Sequence, residues 1–103
     1  MTHPASLFDP KLESDCPATL EAAVENLLGR LSAHDRAIIA AQSETGLDEL
    51  NRYGLGAGIR KDFALWRGNR ALMADCGALN PEDASMAIIR RVWELVRWEG
   101  GRR

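Results

Sequence analysis

The stretch from Gly54 to Asn69, G-L-G-A-G-I-R-K-D-F-A-L-W-R-G-N, concentrates more potential chemistry than any other part of the chain. Gly54, Gly56 and Gly58 form G-x-G-x-G, a spacing that brings phosphate-cradling loops to mind. The dinucleotide fingerprint is G-x-G-x-x-G and follows a strand; neither condition is met here. Two uses of the glycines are left: a break between helices, or a place where a neighbouring helix comes close to the backbone. Close approach is the favoured reading, because Leu55, Ile59, Phe63 and Trp66 continue a helical stripe through the glycines, the mark of a packing face. The other side carries Arg60, Lys61 and Asp62, with Arg67 and Arg70 beyond.

The remaining reactive residue types do not assemble into a catalytic or metal-binding pattern. Glu21 and Glu25, four apart, read as charges on a wet helix face. His34 lies in the first turn of a helix, and the only other histidine is His3, so no ligand spacing exists. Cys16 and Cys76 form no Cys-x-x-Cys, and Cys76 reads as a small core residue rather than a nucleophile. No catalytic residue, cofactor site or metal site is assigned, and the chain is read as non-enzymatic.

The elements that position these residues are helices. Thr19 is a good N-cap before an apolar stripe of Leu20, Val24, Leu27, Leu28 and Leu31. Ser32, with Asp35 in the capping-box slot, predicts a second helix over 33–43 that buries Ile38, Ile39 and Ala41. Leu47, Leu50 and Tyr53 predict a short third helix. Asn69 is a candidate N-cap for another that contains Leu72 and Met73 and stops at Gly77. Asn80-Pro81-Glu82-Asp83 is the strongest helix start in the chain. The helix it opens, about 81–98, is apolar over more than half its circumference through Ala84, Ile88, Val92, Leu95, Met86, Ile89, Trp93 and Val96, and so belongs at the centre. No alternating strand pattern, internal repeat or low-complexity tract occurs. The expected fold is all-α, a compact single-domain bundle of about four or five helices. Its divisions are an extended, proline-broken arm at 1–17, a helical domain at 18–99 and a basic tail at 100–103.

Composition sets the frame. The 103 residues suit one domain with a modest core, and 46% hydrophobic with 27% charged residues is ordinary for a globular protein. The formal charge of −2 is unevenly spread: residues 1–50 carry three basic residues against nine acids, whereas 51–103 carry ten against six. That asymmetry either cancels within the fold or marks an acidic and a basic face. No signal peptide or membrane-spanning run is apparent, so a reduced, cytoplasmic protein is expected.

At I-R-K-D-F-A-L-W-R-G-N and N-P-E-D-A-S-M-A-I-I the chain resembles a family of small bacterial proteins of unknown function. The family pattern is roughly G-x-x-I-R-N-x-x-x-L-W, then G-N, then P-x-D-A-S-x-x-I and a closing helix. Gly56 or Gly58, Ile59, Arg60, Leu65, Trp66, Gly68, Asn69, Pro81, Asp83, Ala84, Ser85 and Ile88 carry the match, which spans about residues 19–98. The chain departs from it at Lys61-Asp62, where the family more often has Asn. The resemblance implies a helical domain from a bacterium or its phage and no particular activity.

The same residues suggest a structural polar cluster in which Arg60 pairs with Asp83, and Ser85 and Asn69 complete the hydrogen bonding between two helices. The alternative is that they line a groove together with Trp66. Partner contacts are assigned to Lys61, Arg67, Arg70, Arg97 and Trp98, an exposed tryptophan beside arginines being a plausible hot spot. The function expected is a protein–protein interaction module. By analogy of size and family character, a defence, toxin–antitoxin or phage-inhibitor setting suits it. The alternative is a nucleic-acid-binding regulator that uses Arg52, Arg60, Lys61, Arg67 and Arg70, extended by Arg90, Arg91, Arg97, Arg102 and Arg103. A homodimer through Trp98, Val92 and Leu95 would also be consistent.

Overall fold

The computed structural model describes residues 16–101, which form six α-helices and one 3₁₀ turn, with no strand among the described residues. The fold is all-α, as expected. The arm, but for Cys16 and Pro17, lies outside the described residues, as do Arg102 and Arg103.

Helix α1 (Leu20–Arg30) starts where the Thr19 hydroxyl accepts from the Ala22 amide, and it buries Ala23, Val24 and Leu27. Helix α2 (Ala33–Ala40) opens on the expected reciprocal capping box of Ser32 and Asp35. It is shorter than its apolar pattern predicts. Only Ile39 of the three expected core residues is buried; Ile38 and Ala41 face outward. The reason is that α2 spans little more than two turns and rests one edge on the core.

Helices α3 (Leu47–Arg52) and α4 (Gly54–Asp62) meet at a sharp corner in which Gly54 has a left-handed φ of +34°. Helix α4 stops earlier than the stripe through Trp66 implies. Ala64 adopts φ 58°, a 3₁₀ turn follows at Leu65–Arg67, and Gly68 at φ 93° closes it. That break turns Leu65 into the core and leaves Trp66 outside. After α5 (Arg70–Asp75), Gly77 (φ 67°) redirects the chain toward α6 (Pro81–Gly101).

Helix α6 is the axis of the molecule: each of the other five helices packs against it. Its Ala84, Ile88, Ile89 and Val92 are fully buried, and Trp93 and Val96 nearly so. A helix enclosed on so much of its surface must be apolar there, as its sequence is. It continues through Gly101 rather than ending near residue 98, so part of the expected tail is helical. None of the described helices is long and apolar enough to cross a membrane.

Candidate functional site

Arg60 is the chemical centre of the α3–α4–α6 junction. It projects from the last turn of α4 and is 8% exposed. Its Nη1 donates to the Asn51 carbonyl (2.8 Å), to Asn51 Oδ1 (3.3 Å) and to Ser85 Oγ (3.0 Å). Asn51 Nδ2 in turn donates to the carbonyl of Glu82 (3.0 Å), and the Ser85 hydroxyl lies within donating distance of Asn51 Oδ1 and of the same carbonyl. Three helices are thus tied by one guanidinium, one amide and one hydroxyl.

This arrangement corrects the expected cluster of Arg60, Asn69, Asp83 and Ser85. Arg60 and Ser85 do meet, but the groups that complete their network are Asn51 and the Glu82 carbonyl. Asp83 is occupied at the start of α6, where its amide donates to Asn80 Oδ1 (2.8 Å) and its carboxylate accepts from Asn80 Nδ2 (3.3 Å). The helix start thus competes for Asp83 and wins, because a carboxylate in the first turn satisfies both the cap and the helix dipole. Asn51 carried no sequence signal beyond being a polar residue in the last turn of a short helix before a glycine-rich run.

The same corner explains one of the glycines. A Cβ on Gly56 would lie 1.9 Å from the Asn51 carbonyl oxygen. The absence of a side chain lets α3 end against the backbone of α4, and that contact delivers the carbonyl to Arg60. Close approach is therefore realised at Gly56, whereas Gly54 serves the left-handed corner and a Cβ added at Gly58 would meet nothing within 4 Å.

Asn69 works elsewhere. Its Oδ1 accepts from Leu72 N at the start of α5, while Nδ2 donates to the carbonyls of Pro17 (2.9 Å) and Phe63 (2.8 Å). It therefore holds the 3₁₀ turn, the segment before α1 and the start of α5 in one register. Around it opens a cleft of about 400 Å³, lined by Cys16, Ala64, Arg67, Gly68, Asn69, Arg70 and Ala71. Trp66, on the same turn, is 61% exposed.

The cations assigned to partner binding separate into two sets. Lys61, Arg67 and Arg70 are exposed and form no ion pair among the described residues. Arg97 instead lies over the Trp93 ring at 4.6 Å, a cation–π contact that commits it to the helix surface. Trp98 is exposed, but Val92 is fully buried and Leu95 half-buried, so the apolar patch expected beside it is absent. Arg90 pairs with Glu44, and Arg91 with Glu21 and Glu94, so each has an acid beside it.

Cys16 and Cys76 are not joined by a disulfide. Burial, with a smaller contribution from the adjacent Asp75 carboxylate, pushes the Cys76 thiol above its ordinary value. Such a shift lowers the thiolate fraction and suits a half-buried packing group.

The fold and this junction define a small all-α domain organised on its last helix. The chain belongs to the family described as Domain of unknown function (DUF6794), whose model matches residues 16–95. No curated protein and no solved structure matches it.

Proposed function

We propose that the chain is a non-enzymatic, intracellular protein-interaction module whose contact surface is the turn from Ala64 to Arg70. The observation that carries this reading is the pairing of an outward tryptophan, Trp66, with Arg67 and Arg70, neither of which has an ion-pair partner among the described residues. Tryptophan and arginine are the residue types that dominate binding energy at protein interfaces. Asn69 holds the turn from three sides, so little ordering entropy opposes binding. Trp66 takes the place first assigned to Trp98, and Lys61 extends the rim.

Nucleic-acid binding is the second reading, reduced to Lys61, Arg67 and Arg70 with Arg52 apart from them. Both readings are tested by capture from the native host with wild type, Trp66→Ala and Trp98→Ala baits across a salt series. The module reading expects a protein partner that survives salt, persists with Trp98→Ala and is lost with Trp66→Ala. Affinity that falls steeply with salt and disappears on nuclease treatment would replace it with the second.

A further inference from the structure

We infer that the cleft over Arg60 is a binding site for a small zwitterion of the amino-acid class. The cleft has a volume of about 330 Å³ and is lined by Asp48, Asn51, Arg52, Arg60 and Glu82. That is the lower end of the range typical of small-molecule sites, roughly 300–1,000 Å³. Arg60, as a whole residue, is only 8% exposed, yet every acceptor it uses is neutral: a carbonyl, an amide oxygen and a hydroxyl. Those partners orient the group without balancing its charge, and a buried, unbalanced charge is costly.

All three bonds leave from Nη1. No buried side-chain nitrogen or oxygen among the described residues lacks a partner, so Nε and Nη2, which donate no hydrogen bond, are not sealed from solvent, and Arg60 lines the cleft. The Nε–Nη2 edge is the one that takes a carboxylate in bidentate fashion. A structural staple needs Nη1 alone; it does not need this edge kept open.

The other charged groups of the cleft decide the class. Arg52 adds a second cation, while Asp48 and Glu82 add two carboxylates, and neither carboxylate is ion-paired with Arg52 or Arg60. Asp48 and Glu82 sit in the first turns of α3 and α6, which accounts for their charge but not for their both facing one cavity. A phosphate dianion would be repelled by two carboxylates. A ligand with a carboxylate between Arg60 and Arg52 and an ammonium group for Asp48 and Glu82 meets the charges of both signs in the cleft.

The test is a titration of the ¹⁵N-labelled full chain with each common L-amino acid, reading the Arg60 Nε–Hε resonance and the Asn51 side-chain amide. Acetate and methylammonium serve as single-charge controls. At least one amino acid is expected to shift both signals saturably with a Kd below about 1 mM. Each control should bind about tenfold more weakly, because it satisfies only half of the charges. The double substitution Asp48→Asn/Glu82→Gln, at exposed positions, should weaken the amino acid about fivefold, with the melting temperature lowered only slightly by the loss of two first-turn carboxylates. Arg60→Lys should abolish binding; if that variant does not fold, the double variant carries the test. The inference fails if no amino acid shifts Arg60 saturably, or if the double variant binds as tightly as wild type. It fails equally if acetate matches the zwitterion, the mark of an adventitious ion only.

Discussion

A methyl group added at Gly56 would lie 1.9 Å from the Asn51 carbonyl oxygen, whereas one added at Gly58 would meet nothing within 4 Å. Two substitutions of identical chemistry, two residues apart on one helix, should therefore act with opposite sign. Gly56→Ala is expected to cost about 3 kcal/mol, because backbone rather than a flexible side chain must move. Gly58→Ala should stabilise by about 1 kcal/mol, the helix-propensity difference between the two residues. Urea denaturation of both variants measures the contrast, and a loss at Gly58 would contradict the open space beside it. Ser85 offers a second check on the junction. It is fully buried and accepts from Arg60, so Ser85→Ala is expected to cost about 1–3 kcal/mol, the penalty for leaving buried polar partners short of a bond. Cys76 should be alkylated more slowly than an unstructured thiol at pH 8, since its raised pKa lowers the thiolate fraction. The same shift makes the neutral thiol the form favoured by the fold. Its contribution to stability is complete below the pKa of the unfolded chain and declines as pH rises through the folded value.

At the scale of elements, the caps were the most legible part of the sequence. Thr19, Ser32 with Asp35, Asn69 and Asn80 each start a helix where residue type alone placed it, because a cap is a local contact between neighbours in the chain. Asn69→Ala should cost about 2 kcal/mol, more than an ordinary cap, since the carbonyls of Pro17 and Phe63 lose their donor along with α5. Thermal and chemical unfolding of that variant gives the number. What the sequence did not show was where a stripe stops being a helix. Leu55, Ile59, Phe63 and Trp66 have helical spacing, yet Ala64 takes a left-handed φ and the last of the four ends outside. An alanine carries no signal for that conformation; tertiary packing imposes it. The candidate site was half legible for the same reason. Arg60 and Ser85 announced themselves as polar residues on apolar helices, whereas Asn51 and the Glu82 carbonyl reach them only through the close approach at Gly56.

For the whole molecule, the ion pairs among the described residues join the two halves of the chain in both directions, and so leave the unevenness of their charge as it was. Arg30 pairs with Asp62, Arg36 with Glu99, Glu44 with Arg90 and Glu21 with Arg91, each joining the first half to the second. All these pairs are partly exposed, and such pairs contribute little each. Raising the salt to about 0.5 M is therefore expected to change stability by less than about 2 kcal/mol, readable as a small displacement of the urea midpoint. Of the cations without an ion pair among the described residues, Lys61, Arg67 and Arg70 lie on or near one turn, which is why the proposed interaction surface is placed there.

The position of α6 has a further consequence, for synthesis on the ribosome. The helix against which every other described helix packs is the last of the six described to be translated. At roughly 5–20 residues per second, α1 to α5 wait for seconds with their apolar faces uncovered before the partner they share emerges. Nascent chains arrested before Ile88 should be open to protease along their whole length. Chains extended past Val96 and clear of the exit tunnel should become resistant in one step, as expected of a domain that cannot fold by halves.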